Sequence, residues 1–494
     1  MIFIFVTIAF FITLWWYLSW SLNHWTRMGV KQTRPWLIVG DSFPTLFGQI
    51  SVPEFIQSIY NLYPNEKYVG LYNFQSPVLM FRDPELFKEI AIKDFDHFTD
   101  HAPFVDPEAD PLWSKNLLSL KGERWKEIRN IVSPVFISSK MKLMFDLIKE
   151  NSEDLVNYFQ ENNEEIMELD MNDLVNRFAN DVIASAAFGL KVNSSREKEN
   201  RFYLMGKQLT NFRGLLNSIK FVLLQVYPKF FKIVGSSLLD KEAGKFFSDI
   251  IGDTIKMREE KNIVRPDVIH ILMEAQKKQA EAPTGKINIS NLDIASQCLI
   301  FFFAGFDTIS TSLSFGMYEL ATNPDVQNKL REEILETIKT GPLTYDTLLQ
   351  MRYLDMVVSE MLRKWPQFPF LDRVCTKPYV VDKKIQIKPN SEVWIPIYAL
   401  HRDPQYFPDP DKFNPERFDP KKNTITPYTY LPFGLGPRSC IGNRFAIMEM
   451  KSFLFHLLSK YEIVPTEKTS IPLVLSKNIQ LGAENGFWMG LKRI

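Results

Sequence analysis

Cysteine is scarce in this chain of 494 residues: only three occur, Cys298, Cys375 and Cys440. They are scattered, without a C-x-x-C pair or a nearby pair of histidines, so neither a disulfide framework nor a zinc site is indicated. Cysteines without a pairing pattern are typical of a reducing compartment. The 6 histidines are also dispersed, and none has a spacing typical of metal ligands.

The chain also lacks an excess of charge of either sign. Its 58 basic and 58 acidic residues give a formal net charge of +0, so nothing indicates nucleic acid as a partner. No repeat, low-complexity run or Gly/Ser linker divides the sequence, although its length would allow several domains. Hydrophobic residues make up 45% of the chain, and the 40 phenylalanines among them can fill one large core. We therefore expect one large domain.

Charged side chains are absent from residues 1–22, a span that is rich in Ile, Phe and Trp. A run of about 20 apolar residues matches the hydrocarbon core of a bilayer. The basic start and the cleavage site of a secretory signal peptide are missing. Aromatic residues cluster at 15–20, and Arg27, Lys31 and Arg34 follow, which places the rest of the chain on the cytosolic side. We predict a transmembrane anchor at 1–22.

Prolines follow Arg34 and Phe43, and residues 23–50 are predicted to be a stiff hinge. The main domain is predicted at 51–494. It is mostly helical from about residue 120 to 340. Strand-like runs occur at 68–72, 78–81 and 379–398, with a helix from about Asn443 and a short β region near 471–491. The predicted fold is mainly α with a minor β region.

One helix is expected to lie at the centre of the domain. Ser290 can cap a helix that runs to about Ala321, which corresponds to about 45–50 Å. Its middle, residues 298–304, is apolar on all sides, whereas a surface helix has a polar face. Asn323 and Pro324 then predict a cap and the first turn of the next helix, which Gly341 ends.

The most specific pattern is F-G-L-G-P-R-S-C-I-G at residues 433–442. The glycines allow the backbone close to a flat object, and loop amides and a following helix would lower the pKa of the Cys440 thiol. Phe433 can shield the sulfur, and Arg438 can neutralise an anionic substituent. These are the requirements of a haem iron with one axial thiolate. The alternatives are a small buried cysteine and a faint dinucleotide fingerprint, Gly434-x-Gly436-x-x-Ser439, which two prolines interrupt.

This pattern resembles the haem-binding loop of the cytochrome P-450 superfamily at every position. Residues 304–308 resemble the oxygen-activation motif of that family, A-G-x-[D/E]-T, which implies that Asp307 and Thr308 manage protons. The structural alternative is a threonine that bonds back to its own helix beside an aspartate at a helix–helix contact. Ile309 and Ser310 replace the usual second threonine of the motif.

Two further motifs occur in the order of the family. Glu360 and Arg363 match the E-x-x-R helix, and Arg417 would be the third member of a buried ion network that holds the cysteine loop. Taken alone, such a pair is usually a weak surface ion pair. Trp125 and Arg129 form W-x-x-x-R one helical turn apart, a pattern that by itself is usually amphipathic helix surface.

The resemblance implies a cytochrome P-450 fold, a triangular helical prism with a long central helix behind the anchor. It implies haem b with Cys440 as the ligand of the iron, held without covalent bonds because C-x-x-C-H is absent. The cofactor-binding residues by resemblance are Cys440, Arg438, Trp125, Arg129, Arg373 and Phe433. The catalytic residues by resemblance are Thr308 and Asp307.

The implied reaction inserts one oxygen atom of O2 into a lipophilic small molecule. Because the chain has no flavin or nicotinamide domain, a separate NADPH-cytochrome reductase is the expected electron donor. The expected location is the endoplasmic reticulum (microsomal) membrane, in contact with lipid and facing the cytosol. Residues 118–141 most resemble insect members that oxidise foreign compounds such as insecticides and plant compounds, although endogenous lipophiles also fit. The alternatives are a haem-thiolate isomerase or low-turnover ligand-binding protein, which often lacks the threonine, and a tethered binding protein without haem.

Several surfaces are candidates for contact with these partners. The candidate substrate contacts are 103–105, 302–304, 370–371 and 478–480. The run 221–231 is either a second membrane contact or a core helix. A basic face for an acidic reductase surface would consist of Lys121, Arg124, Lys126, Lys140 and Lys142, which could equally be an ordinary solvated face.

Overall fold

The computed structural model describes residues 2–103, 110–212, 214, 220, 237–265, 267–281, 288–422 and 424–494. The expected contacts at 104 and 105 and the run 221–231 lie outside these residues. Most of the described elements are helices, and the fold is mainly α with small sheets, as the sequence predicts.

The helices that precede the centre of the fold are α1 Ile2–Ser21, α2 His24–Arg27, α3 Phe43–Leu46, α4 Val52–Leu62, α5 Pro84–Lys88, α6 Pro111–Ser114, α7 Gly122–Val132, α8 Ser138–Gln160, α9 Met171–Ile183, α10 Arg201–Leu209, α11 Lys241–Lys261 and α12 Val268–Glu281. Those that follow are α13 Asn291–Thr322, α14 Pro324–Thr340, α15 Tyr345–Gln350, α16 Arg352–Lys364, α17 Ile397–Leu400 and α18 Asn443–Leu458. Single turns of 3-10 or π helix lie at Glu89–Lys93, Phe95–His97, Ser133–Phe136, Ala184–Phe188 and Pro415–Phe418.

The strands are β1 Tyr68–Asn73, β2 Ser76–Phe81, β3 Ile166–Asp170, β4 Leu371–Val374, β5 Tyr379–Val381, β6 Ile385–Ile387, β7 Glu392–Ile395, β8 Tyr461–Val464 and β9 Trp488–Arg493. They form sheets in the orders β1-β2-β7-β4, β3-β9-β8 and β5-β6. Only the β2–β7 pairing among them is parallel. The strands expected at 68–72 and 78–81 are present, whereas Ile397 begins α17 instead of extending a strand.

Helix α13 is the predicted central helix. The Ser290 hydroxyl accepts from the amide of Asp293, and the Asp293 carboxylate accepts from the Ser290 amide, which forms a capping box at its start. Its apolar middle is enclosed because α9, α10, α11, α16 and α18 pack around it. The ring of Phe302 lies 4.6 Å from Phe247 and 5.6 Å from Phe202 between centroids. A helix surrounded in this way is apolar on all sides.

The cap predicted for the next helix is wrong in one respect. Asn323 directly precedes α14, but its side chain makes no cap hydrogen bond there. Its amide nitrogen instead donates to the Glu319 carbonyl at 2.8 Å, in the last turn of α13. The free carbonyls at the end of a long helix need partners, and Asn323 supplies one. Pro324 and Gly341 begin and end α14 as expected.

The segment 23–50, which the sequence presents as a hinge, packs onto the first sheet. Trp25 is 1% exposed, and a Cβ at Gly70 of β1 would lie 2.3 Å from its ring. Gln32 pairs with Gly70 as a parallel bridge, and its side chain donates to the Leu22 carbonyl at 2.9 Å. The end of α1 is thus tied to the domain. Helix α1 is long and apolar enough to cross a membrane; α13 also is, but it is mostly buried in protein.

Candidate functional site

The cysteine loop is a tight turn before α18. The Cys440 amide donates to the Phe433 carbonyl at 2.8 Å, and the Ser439 amide donates to the Gly436 carbonyl at 3.0 Å. Gly434 and Gly436 have φ angles of 77° and 74°, a region that favours glycine. A Cβ at Gly436 would lie 1.8 Å from the Ala91 carbonyl oxygen. The glycines are therefore required by the turn and by its close approach to a neighbouring segment.

Cys440 is exposed although it lies deep in the protein, so its sulfur borders an internal space. Burial raises the pKa of the thiol, and the Gly442 amide and Arg129 oppose this only in part. The loop amide thus lowers the pKa as expected, but desolvation of the anion outweighs it, so the net shift is upward. A metal ion bound to the sulfur would supply the missing stabilisation, since a coordinating thiol is deprotonated outright.

Arg438 is buried and crosses from the cysteine loop to the segments before and after α6. Its guanidinium donates to the carbonyls of Thr99 at 2.7 Å, Leu117 at 3.2 Å and Leu120 at 2.6 Å. Its Cζ lies 4.0 Å from the centre of the Trp125 ring. Burial and the nearby cation Arg373 lower the pKa of Arg438 to about 9. Arg438 thus both supports the loop and adds positive charge to the site.

Helix α7 places Trp125 and Arg129 on the side of the cysteine loop. Arg129 donates to the Ser439 carbonyl at 3.0 Å, one residue before the ligand candidate. Burial lowers the pKa of Arg129, and the proximity of Cys440 opposes this. The two residues that the sequence pairs by spacing therefore both contact the cysteine loop, Trp125 through Arg438.

Arg373 of β4 is fully buried, and part of its guanidinium lacks a partner. Its Nη1 donates to the Asp372 carbonyl at 2.7 Å, but no partner among the described residues accepts from its Nε or Nη2. Burial lowers the pKa of Arg373 to about 10, an effect that Asp372 opposes. Unpaired buried donors of a cation are costly unless an anion meets them.

The acidic groups beside these arginines have partners in the protein. Asp372 accepts from His101 at 2.8 Å and from the Ala102 amide at 2.6 Å. Although burial opposes it, His101 and Arg373 lower the pKa of Asp372 to about 2. Asp100 lies 3.7 Å from Arg438. Arg129, Arg373 and Arg438 outnumber Asp100 and Asp372, which leaves a net positive charge beside the cysteine loop that favours an anionic cofactor.

The oxygen-activation motif lies in the middle of α13. Ala304 is exposed although Phe302 and Phe306 on either side are buried, so this turn borders an internal space. The Thr308 hydroxyl donates to the Ala304 carbonyl at 2.6 Å, the back-bond of the structural alternative. Asp307 accepts from Gln480 at 3.2 Å.

One ring connects this helix to the cysteine loop. Phe136 lies 5.8 Å from Phe301 between ring centroids, and a Cβ at Gly442 would lie 3.8 Å from the Phe136 ring. Phe301, three residues before the motif, is therefore connected to the end of the cysteine loop through the ring of Phe136.

The predicted ion network is present, and its pair Glu360–Arg363 is fully buried. Arg363 donates to the Glu360 carboxylate at 2.7 and 2.9 Å, and Arg417 donates to it at 3.1 Å. Neither Glu360 nor Arg363 is exposed to solvent. The arginines continue to the carbonyls of His401 at 2.8 Å and Pro408 at 2.7 Å. The network therefore fixes the irregular chain that leads to the cysteine loop.

His401 connects this network to the loop, and the sequence analysis did not identify it. Its Nδ1 donates to the Arg363 carbonyl at 3.0 Å, and its Nε2 accepts from the Leu431 amide at 2.9 Å. A backbone amide can only donate, so the imidazole must be neutral. Burial lowers the pKa of His401 to about 3, in agreement. No motif or spacing marks this histidine, because its partners lie far away in the chain.

The candidate substrate contacts differ in their surroundings. Phe302 is core, and Phe303 packs against Trp113 at 5.4 Å and Phe212 at 5.9 Å between ring centroids. Phe370 stacks on Trp394 at 4.1 Å, which fixes its ring against the first sheet. Among residues 302–304 and 370–371, Ala304 is the exposed one.

The proposed basic face is largely compensated by local carboxylates. Three of its members form ion pairs: Arg124 with Asp293, Lys126 with Glu123 and Asp96, and Lys142 with Asp346. Lys121 and Lys140 pair with no carboxylate in the described parts of the chain. The free positive charge of this face therefore lies at these two lysines.

Fold and site together define a protein with a cysteine at a glycine-rich loop, buried arginines beside it and a central helix. The sequence profile of the family described as Cytochrome P450 matches residues 33–487. The chain belongs to the cytochrome P450 family. It is a P450 monooxygenase, an oxidoreductase of the class that binds a cysteine-ligated haem.

Similar curated proteins come from insects. The chain is 41% identical to cytochrome P450 9e2 of Blattella germanica, over 96% of this chain and 94% of that protein. It is 40% identical to the probable cytochrome P450 9f2 of Drosophila melanogaster, over 94% and 93% of the two chains. Identity to the probable cytochrome P450 6a13 of the same fly is 38%, over 96% of both chains. The similarity extends over almost the whole of these proteins.

Proposed function

We propose that this protein inserts one oxygen atom of O2 into lipophilic foreign compounds, with electrons from a separate NADPH-dependent reductase. The observation that carries the proposal is the convergence of Arg129, Arg373 and Arg438 at the loop of Cys440. Endogenous lipophiles remain within the same substrate class. The aromatic surroundings of Phe303 suit apolar ligands.

The cofactor of the proposal is haem b, held without covalent bonds. Cys440 would hold the iron through its sulfur, and Phe433 would shield that sulfur. The free Nε and Nη2 of Arg373 would meet one propionate, and Trp125 with Arg129 and Arg438 would hold the other. When bound, the cofactor supplies the site at which O2 is reduced and activated. A planar guanidinium suits carboxylates, which is why arginines are proposed at each contact.

Asp307 and Thr308 are proposed to deliver protons. Thr308 keeps its hydroxyl beside the open turn at Ala304 by bonding the helix carbonyl at 2.6 Å. The lone pairs of this hydroxyl remain available to accept a proton from Asp307, and the hydroxyl would pass its own proton on by rotating away from the Ala304 carbonyl. Residues 304–308 therefore combine a proton source with a space that a small molecule can enter.

The membrane arrangement is also a proposal: an anchor at 1–22, a connecting segment at 23–50 and a catalytic domain at 51–494. Basic residues directly after α1 support a location on the cytosolic face of the endoplasmic reticulum, in contact with lipid. The burial of Trp25 supports a rigid attachment, which would keep the domain at one orientation to the bilayer.

The experiment that tests the cofactor assignment is the visible spectrum of the dithionite-reduced protein under carbon monoxide. We expect a strongly red-shifted Soret band that Cys440→Ser abolishes, because the serine hydroxyl does not supply a soft anionic ligand. Cys375→Ser is the matched control, since that thiol is buried and donates to the Lys377 carbonyl. A histidine-like band in the folded wild type would contradict the assignment of Cys440.

A further inference from the structure

The side-chain amide of Gln480 joins three separate parts of the fold. Its Nε2 donates to the Asp307 carboxylate at 3.2 Å and to the Thr210 carbonyl at 3.0 Å. Its Oε1 accepts from the Phe212 amide at 3.3 Å. Gln480 lies in the turn between Leu475 and Ala483, which are bridged as antiparallel partners. One side chain thus connects its own turn to the residues after α10 and to Asp307 of α13.

The orientation of this amide is determined by its backbone partners. The Phe212 amide can only donate, and the Thr210 carbonyl can only accept, so Oε1 must face the former and Nε2 the latter. The nitrogen that bonds Thr210 is also the one that faces Asp307. Gln480 is therefore a donor to the carboxylate, and a hydrogen bond to a charged acceptor is stronger than one between neutral groups.

The end of α10 packs onto α13 at the same place. Phe212 lies 5.9 Å from Phe303 between ring centroids, and Phe303 precedes Asp307 by one turn on the same helix face. A Cβ at Gly206 of α10 would lie 2.4 Å from the ring of Phe302, so the two helices are in close contact. A shift of the end of α10 would therefore also change the position of the Gln480 amide.

We propose that Gln480 is a positioning residue that orients the Asp307 carboxylate beside Thr308 and makes this orientation depend on the seating of α10. The inference rests on the proposed role of Asp307 in proton delivery. It assigns to Gln480 no contact with substrate or cofactor. Its consequence is that proton delivery is efficient only while the end of α10 is in place against α13.

Two nearly isosteric variants separate this role from a structural one. Gln480→Glu keeps an acceptor for the Phe212 amide, but it replaces the donor to the Thr210 carbonyl and to Asp307 with a second carboxylate oxygen. Gln480→Leu loses all three hydrogen bonds without adding charge. If Gln480 acts on Asp307, the rate of NADPH oxidation falls more in the glutamate variant. If Gln480 only holds the end of α10 in place, the rate falls more in the leucine variant. Lys477→Ala, an exposed position of the same turn, is the control.

The measurement is the reductase-supported rate of NADPH oxidation and its solvent deuterium isotope effect, per haem counted from the carbon monoxide spectrum. We expect a fall of about tenfold for Gln480→Glu, with a larger isotope effect, and a smaller fall for Gln480→Leu. Affinity for 4-phenylimidazole, followed by its Soret shift, should be unchanged in both. Lys477→Ala should match the wild type. Amide hydrogen exchange at Phe212 should be faster only in the leucine variant.

A double-mutant cycle with Asp307→Asn completes the test. If Gln480 acts through Asp307, neither Gln480 variant slows the Asp307→Asn protein further. Additive losses of the NADPH oxidation rate in the double variants would overturn the inference. The same holds if the rate falls most in the variant with the fastest amide exchange at Phe212 and not in the variant with the added charge at position 480. A changed azole affinity at normal NADPH oxidation would identify a ligand contact and also overturn it. A normal rate in Asp307→Asn alone would instead refute the proposed role of Asp307.

Discussion

Arg373 and Arg438 are both buried cations, but their partners differ. Arg373 has two nitrogens without a partner among the described residues, whereas Arg438 satisfies the carbonyls of Thr99, Leu117 and Leu120. We expect Arg373→Ala to weaken haem binding about 10- to 100-fold, because one charge-assisted hydrogen bond contributes about that much. The stability of the haem-free protein should change little.

Arg438→Ala serves as the contrast to this variant. It leaves three carbonyls without their donor, so the haem-free protein itself should unfold at a clearly lower urea concentration. Haem titration and urea unfolding of both variants check the difference. Equal loss of apoprotein stability in the two variants would show that Arg373 has a structural role.

Glu360 stabilises two buried arginines at once. Glu360→Gln removes the counter-charge of Arg363 and Arg417, which should lower the free energy of unfolding by about 3–5 kcal/mol and leave little haem-loaded protein. The matched control is Glu85→Gln, because Glu85 forms an exposed i,i+3 pair with Lys88 at 3.5 Å. That change should cost less than about 1 kcal/mol. Thermal unfolding and the carbon monoxide spectrum measure both effects, and comparable losses would contradict the network.

The residues that the sequence could identify are those with a local pattern. The loop of Cys440, the cap at Ser290 and the pair Glu360–Arg363 each lie within a short window, where residue types and spacing are visible. His401 and Gln480 have no such window, since each bonds to backbone or side chains more than 25 residues away. Their roles depend on which segments meet in space, and this is determined by packing of the whole chain.

At the scale of elements, the neutral imidazole of His401 connects the end of α16 to the cysteine loop. Its pKa in the folded protein, about 3, is below the unfolded value of 6.5. Below pH 6.5 the unfolded chain therefore binds a proton that the folded protein does not, and stability falls as the pH falls. The contribution of this group is fully present above pH 6.5 and decreases progressively towards pH 3.

We expect His401→Gln to be less stable than the wild type at pH 7, and this deficit to narrow between pH 6.5 and 4.5. Glutamine does not titrate, so this proton-linked loss is absent from the variant. Urea unfolding midpoints at pH 7.0, 5.5 and 4.5 measure the difference. Stability curves that run parallel over this range would show that His401 does not titrate on unfolding.

The helices also differ in whether their structure follows from a local sequence pattern or from contacts with distant segments. The bounds of α13 follow from its capping box and its apolar middle, and both are visible in sequence. The side chain of Asn323 does not cap α14 because the last turn of α13 competes for it. The burial of Trp25 under Gly70 depends on a strand about 45 residues later, which no local pattern of 23–50 indicates.

For the molecule as a whole, the proposed electron delivery by a reductase can be tested through the charge on the basic face of α7 and α8. Of the five cations of the basic face, Arg124, Lys126 and Lys142 are paired with carboxylates, whereas Lys121 and Lys140 have no such partner among the described residues. Free ammonium groups can pair with the acidic surface of a reductase, and such contacts mainly accelerate association. These two lysines are therefore better candidates than Lys126, whose charge is shared with Glu123 and Asp96.

We expect the double variant Lys121→Glu/Lys140→Glu to raise the concentration of reductase needed for half-maximal turnover about tenfold at low salt. The effect should shrink as ionic strength rises, because exposed charges more than a Debye length apart are screened. Lys245→Glu/Lys256→Glu on α11 makes the same change in net charge elsewhere and should leave the reductase requirement near that of the wild type. Affinity for 4-phenylimidazole should be unaffected in both. If the α11 variant is equally impaired, the net charge of the protein and not this face governs association with the reductase. If the reductase concentration for half-maximal turnover does not change with ionic strength, an electrostatic contact is excluded.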